Sequence, residues 1–222
     1  MIDSLIDKTD SFEQVRDQIA AILAYETVSQ QALAVTAGKD PKLWKLRVFL
    51  ERSNAFEQFL NSPIADVSPI VNVWFDNSTY DMKSSNYLER QTSETIYNID
   101  CYGYGEAKDD GSTGHIPGDL TAALELQRAI RLVRNILMAA NYAYLALDGL
   151  VGSRWINSII AFQPDIAAVS ERKVHAARIA FKVGFNEFSP QITPETLEYI
   201  SADVKRTADG EIVAEADYNF NP

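Results

Sequence analysis

Residues 71–81 read VNVWFDNSTYD, and residues 95–103 read TIYNIDCYG. In the first stretch Val71, Val73 and Phe75 alternate with Asn72, Trp74 and Asp76; in the second Tyr97, Ile99 and Cys101 alternate with Asn98, Asp100 and Tyr102. A period of two puts each apolar trio on one face of a strand, so the two stretches are expected to pair as neighbours in one sheet. The roughly 20 residues between them are too many for a tight hairpin. That segment is rich in Ser, Asn and Thr, which predicts a long projecting loop or ribbon over residues 77–94.

Helical signals lie on either side of this pair. Ser11 and Gln14 form a capping-box pattern ahead of VRDQIAAILAYETVSQQALAV, residues 15–35. A first helix is expected over residues 11–36, with Val15, Ile19, Ile22, Leu23 and Leu33 as its apolar stripe and Gly38 at its end. LWKLRVFLE, residues 43–51, changes period and predicts a half-buried strand with Trp44, Leu46, Val48 and Leu50 on one face. SNAFEQFLNSP, residues 53–63, reads as a short helical connector with Asn54 and Glu57 in capping-box spacing.

Residues 106–118 form a polar glycine-rich loop, after which Asp119 is placed to cap a second long helix. Leu126, Ile130, Val133, Leu137, Ala140, Tyr144 and Leu147 recur at spacings of four and three, a helical stripe. The apolar run at residues 136–152 is too punctuated to cross a membrane and reads as a buried helix. RWINSIIAF and HAARIAFKVGF follow as two strands; in the second, Ala177, Ile179, Phe181, Val183 and Phe185 oppose Arg178 and Lys182. The order of elements predicts an α+β fold: a largely antiparallel or mixed β-sheet flanked by two long helices.

One domain is expected over residues 1–190. Residues 191–222 hold seven acidic and two basic residues, and Asp209–Gly210 stands between two alternating segments. This C-terminal extension is expected to be an acidic β-hairpin.

The chain has 222 residues and a formal net charge of −11, which argues against specific nucleic-acid binding, since neutralising phosphates takes clustered Lys and Arg. The single cysteine, Cys101, allows no internal disulfide and fits an intracellular site of folding. The N-terminus MIDSLIDKTDSFEQ has no basic region ahead of an apolar stretch, unlike a secretory signal.

Catalytic equipment is sparse. His115 falls in the glycine-rich loop and His175 at the start of a strand; each reads as structural or solvated, and neither has metal-ligand spacing to a second histidine. Cys101 sits on the apolar face of its strand, as a buried small hydrophobe would. GYGEAKDDG, residues 103–111, lacks the spacing of a phosphate-binding loop, and Glu106, Asp109 and Asp110 would repel a polyphosphate. No catalytic, cofactor-binding or metal-ligating residue is assigned, and no cofactor is expected.

Candidate interface residues are easier to name. Arg128, Arg131 and Arg134 recur at a spacing of three along the second helix, a row able to meet an acidic surface of another subunit such as the C-terminal extension. Trp74, Tyr102 and Tyr104 stand on the less apolar strand faces, either as core beneath a helix or as interface anchors, where aromatics are enriched. Tyr80, Tyr87 and Arg90 belong to the projecting segment, and Arg178 and Lys182 to the polar face of the last strand.

In this order of landmarks the chain resembles the tail-terminator, or tail-completion, proteins of tailed bacteriophages and phage-tail-like particles. The likeness rests on VNVWFDNSTYD, ERQTSETIYNIDCYGYGEA, ALELQRAIRLVRNIL, RWINSIIAFQP and HAARIAFKVGFNE, within residues 10–190. The resemblance implies a homohexameric ring that caps the last ring of the tail tube, stops its polymerisation and offers the head-tail joining surface. Its partners would be the tail tube protein, the head-tail connector or neck proteins and the sheath, with DNA free to pass through the ring. It would belong to the virion tail or neck, assembled in the host bacterial cytoplasm and bound to no membrane. Strand edges and the loops at residues 77–94 and 106–118 would touch neighbours. The acidic extension after Pro190 has no counterpart in the resemblance. Two other classes stay open: a different phage neck or baseplate adaptor, and a small-ligand-binding protein or enzyme working through carboxylates such as Asp100 and Glu106.

Overall fold

The computed structural model describes residues 5–6, 8–60, 66–80, 90–109, 115–164, 172–188, 199–205 and 212–219. Among these residues two long helices, α1 (Ser11–Thr36) and α2 (Gly118–Leu137), accompany nine strands: β1 (Arg47–Leu50), β2 (Ile70–Tyr80), β3 (Arg90–Glu106), β4 (Lys108–Asp109), β5 (His115–Ile116), β6 (Val151–Phe162), β7 (Arg172–Phe188), β8 (Tyr199–Lys205) and β9 (Ile212–Asn219). Five of them form one mixed sheet in the order β1-β2-β3-β7-β6. All its pairings are antiparallel except β1 with β2. The fold is α+β.

The expected strand pair is the centre of this sheet. Val71 faces Cys101, Val73 faces Ile99 and Phe75 faces Tyr97 in register. Beyond a bulge between Phe75 and Asn77 the same two strands run on to pair Tyr80 with Ser93, so the projecting segment begins as a paired ribbon. On the inner face of the sheet Val71, Val73, Tyr97, Ile99 and Cys101 join Ile179, Phe181, Val183 and Phe185 of β7 beneath the two helices. Each such side chain contributes about 1.5–3 kcal/mol by leaving water. Val15, Ile19, Ile22 and Leu23 of α1 and Leu126, Val133 and Leu137 of α2 close this core from above.

Gly103 and Gly105 fall on the same inner face and explain how α2 sits so low on β3. A Cβ on Gly103 would lie 2.3 Å from the Ala122 carbonyl oxygen, and one on Gly105 2.2 Å from that of Gly118. The glycines in GYGEAKDDG therefore serve helix-on-strand packing, with helix backbone in direct touch with sheet backbone.

Several local expectations are corrected. The N-cap of α1 is Asp10, whose Oδ1 accepts from Phe12 N at 2.9 Å, and Ser11 is the first helical residue. Gly38, at φ +67°, ends the helix as expected: Lys39 N donates to the Ala34 carbonyl and Gly38 N to that of Val35, a Schellman closure. Leu33 lies outside the buried stripe and is exposed. The strand read from residue 43 starts only at Arg47; Pro41–Trp44 is a 3-10 turn, and Leu50 is exposed. The connector exists as a 3-10 turn, Ala55–Phe59, but Asn54 is left-handed and caps nothing with its side chain. Helix α2 starts at Gly118, so Asp119 is inside its first turn and Pro117 takes the cap position. Part of the loop at residues 106–118 is ordered as the two-residue pairing of β4 with β5.

The largest correction concerns residues 138–150. The apolar spacing runs on past Leu137, yet the helix stops there and the chain passes through a short 3-10 turn at Ala140–Tyr142. Leu145 and Ala146 then take left-handed backbone, with φ of 54° and 52°. This turn drops Leu145 into the core, fully buried, and leaves Tyr144 exposed. Arg154 holds it in place: Nε donates to the Tyr142 carbonyl at 2.5 Å and Nη2 to that of Ala139 at 2.7 Å. The guanidinium thus adds a second donor to two carbonyls that already accept from Tyr142 N and Leu145 N within the turn, and so pins the turn to β6.

The edges of the sheet differ. One is β1, four residues long; the other is β6, twelve residues long and interrupted by bulges between Val151 and Ser153 and between Ile156 and Ser158. The chain divides into two compact units, Asp7–Ser189 and a second that joins Met1–Ile6 to Pro190–Pro222. In the second, β8 pairs antiparallel with β9, from Tyr199 opposite Asn219 to Lys205 opposite Ile212. The Asp209–Gly210 turn lies outside the described residues.

Candidate interaction surface

The outer face of the sheet, away from the helices, has two halves. Over one half the 3-10 turn at Ala55–Phe59 folds down, and Phe56, Phe59, Ile70, Tyr102, Tyr104, Val174 and Ala176 form a second small core. Phe59 stacks on Tyr104 with centroids 5.1 Å apart, and Phe162 meets Tyr102 edge-on at 6.1 Å. Tyr102 and Tyr104, read either as core beneath a helix or as interface anchors, are each 5% exposed and belong to this core, which removes them from the candidate interface. Tyr104 also donates its hydroxyl proton to Glu106, which commits one of the two carboxylates considered for chemistry.

The other half is open and polar. Register lines up Phe49, Asn72, Asp100, Arg178 and Ile160 in one row across all five strands. At its centre Arg178 Nε donates to Asp100 Oδ1 at 2.7 Å and Nη2 to Oδ2 at 3.0 Å. Trp74 Nε1 donates to the same Oδ2 at 3.0 Å. The guanidinium lies between two rings, 4.7 Å from the centroid of Trp74 and 5.4 Å from that of Phe162. The hydrogen bond that Arg178 donates to Asp100 raises the Arg178 pKa above its ordinary value, against the opposing effect of burial. Asp100 is buried while Arg178 stays partly exposed, so the carboxylate is sealed from below and the cation presents its edge to solvent.

Further along this face Lys182 is ion-paired with Glu94, and its Nζ lies 5.2 Å from the Trp155 centroid. Beside the central pair, the turn after β1 forms the wall of an open cleft of about 560 Å³. Glu51 and Asn54 in that turn have positive φ, 47° and 50°. Asn72 clamps the turn, accepting from Arg52 N at 3.1 Å and donating to its carbonyl at 3.0 Å. Glu51 Oε1 accepts from Phe75 N at 3.0 Å and from Arg16 of α1 at 3.3 Å.

The remaining named residues scatter. Tyr80 donates to Glu187 at 3.1 Å, and burial together with that carboxylate raises its hydroxyl pKa to about 12. Tyr87 and the side chain of Arg90 lie outside the described residues. Arg128 is paired with Glu125 one turn away on α2, and Arg131 and Arg134 are exposed. Arg128 and Arg131 line a groove of about 620 Å³ between the two helices, where Tyr142 donates to Glu26 at 2.5 Å. The structure thus brings together Trp74, Arg178 and, on the same face, Lys182, and it separates them from the arginine row.

No protein-family model matches the chain, and no curated protein matches it significantly.

Sequence reasoning missed Trp155 and the role of Asp100. Alternation in RWINSIIAF could have flagged Trp155, since it falls opposite Lys182 once β6 is paired to β7. Burial pushes the Cys101 thiol well above its ordinary range, where it is neither nucleophile nor ligand. His175 Nε2 lies 3.5 Å from Asp119 at the start of α2. Among the described residues no three of His, Cys, Asp and Glu cluster to hold a metal ion. No described helix is long and apolar enough to cross a membrane.

Proposed function

We propose that this protein is a structural virion subunit of the tail-terminator kind, forming a ring that caps the phage tail tube and receives the head-tail connector. The observation that carries this reading is the open outer face. Trp74, Trp155, Arg178 and Lys182 are presented on the sheet, with Arg178 paired to Asp100 and Lys182 to Glu94. Aromatics and arginine held in fixed geometry are the residue types that anchor protein interfaces. A carboxylate such as Asp100, tied to an arginine and an indole, is poorly placed for proton transfer.

The resemblance in the landmark stretches adds support, because they coincide with β2, β3, α2, β6 and β7. In this reading the working parts are surfaces: subunits close a ring, the ring binds the tube end, and its far side lacks the tube's own joining surface. The site of action is the virion tail or neck, after assembly in the bacterial cytoplasm.

The test is to add purified protein to polymerising tail tube protein and measure tube lengths and end structures by electron microscopy. Shortened tubes with an extra ring at one end support capping. Rings that bind only portal-side connector proteins favour the neck-adaptor alternative, and tubes of unchanged length with bare ends overturn the reading.

A further inference from the structure

Helix α1 buries one face against the sheet, but the opposite face is also apolar. Ala21, Tyr25, Val28, Ala32 and Val35 recur at spacings of four, three, four and three, the seam of a helix that packs on a partner. All five are exposed; Tyr25, Val28 and Val35 are 71%, 67% and 63% accessible. Between Gln18 and Gly38 the helix carries a single charge, Glu26, in a chain of net charge −11. A helix apolar on both sides is one built to be covered on both sides.

The complementary vacancy is at the other end of the sheet. Strands spaced about 4.8 Å apart need about 24 Å of cover for five, and two helices packed about 10 Å apart supply about 20 Å. Here α1 lies toward β1 and β2 and α2 over β3 and β7, so β6 is left over. On that inner side Ile159 is 40% exposed. Ile159 and Ile156 of β6, with Arg134 and Asn135 of α2 and Met138 just past its end, line an open hollow of about 470 Å³. Lengths match: Ala21 to Val35 spans about 21 Å of helix, and Ile156 to Phe162 about 20 Å of strand. Arg134 at the hollow has no ion pair among the described residues, while the half-exposed Glu13 and Asp17 ahead of the stripe share one cation, Arg16, and so leave net negative charge at that end of α1.

We infer that α1 of one copy seats as a third helix over β6 of the next, a head-to-tail contact that deepens the ring reading above and rests on it. Each copy has one stripe and one vacancy at opposite ends of the sheet, so the contact is heterologous and repeats until it closes.

The experiment uses Val28→Glu and Ile159→Glu, both at exposed positions, with circular dichroism to verify folding and light scattering to give mass. Each variant alone should remain a monomer. Mixed in equal amounts, they should form a dimer and stop there, because one intact stripe meets one intact vacancy. Ile159→Glu dimerising by itself would mean a two-fold contact between α1 helices and overturn the proposal, as would either variant assembling like the parent. If the parent itself stays monomeric, mixing Val28→Cys with Ile159→Cys protein under a mild disulfide-forming oxidant decides the matter, since the native Cys101 is buried. A cross-linked heterodimer supports the contact and its absence overturns it. Absence of the cross-link with tube capping intact removes this interface and leaves the terminator reading; a cross-link without capping does the reverse.

Discussion

Arg178 and Asp100, 78 residues apart in sequence, meet through two hydrogen bonds of 2.7 and 3.0 Å on the outer face of the sheet. The pair ties β7 to β3, and Trp74 ties β2 to the same carboxylate. Asp100→Ala would strand the Arg178 guanidinium and remove the acceptor of the Trp74 indole. Because Arg178 is partly exposed and water can take up its freed donors, the cost should be about 1–3 kcal/mol, below that of breaking a fully buried pair. Urea denaturation of the variant checks this; an unchanged midpoint would show that the pair adds nothing net.

Gly103→Ala should be more damaging than its size suggests. The new methyl would lie 2.3 Å from the Ala122 carbonyl oxygen and 2.4 Å from Leu126 N, both helix backbone that cannot rotate away. Lifting α2 off β3 should cost at least about 1–3 kcal/mol and lower the melting temperature. Gly38→Ala meets no atom within 4 Å and should lose only the left-handed preference, about 1 kcal/mol.

Ala146 is an exposed residue at φ 52°. Ala146→Gly removes the Cβ clash of left-handed backbone and adds unfolded-state entropy, and the two effects nearly offset. The variant should be between unchanged and about 1 kcal/mol more stable. Thermal unfolding that shows a clear loss of stability would contradict the strain.

Acid stability should depend on Asp66. Burial works to raise its pKa, but hydrogen bonds from Lys45 at 2.6 Å and from Ser68 at 2.9 Å outweigh it and hold the carboxyl at about 2, below its ordinary 3.8. With the folded value below the unfolded one, the stabilisation is complete above about pH 4 and disappears as pH falls toward 2. Asp66→Asn should therefore lower stability at pH 7 and match the parent near pH 2. Chemical denaturation at pH 7, 4 and 2 gives the comparison; a constant difference across the series would rule out the pair as its source.

The central strands were legible because period-two alternation is strict where one face is buried: Val71, Val73, Tyr97, Ile99 and Cys101 all took the predicted face. The end of α1 was legible for a similar reason, since Gly38 has a conformation that few other residues adopt. Residues 138–150 misled because Leu147 of the expected stripe packs on the core from a turn while Tyr144 is exposed and Leu145, outside the stripe, is buried; a spacing of three and four says nothing about whether the backbone between is helical. The open face was half visible. Trp74, Arg178 and Lys182 were named from their polar strand positions, but only pairing across the sheet reveals that Asp100 joins the first two and that Trp155 joins the third.

The two unlike edges of the sheet affect how the protein behaves when concentrated. A sheet with two long, regular edges invites strand-on-strand growth into fibres. Here one side offers four residues of β1 to an incoming strand, and the other is twice kinked out of register at Val151/Ser153 and Ile156/Ser158. Neither is a template for extended pairing. At high concentration the chain is thereby kept from amyloid-like self-stacking by geometry, without a proline within β6 and with its one charge there, Arg154, turned to the carbonyls of Tyr142 and Ala139.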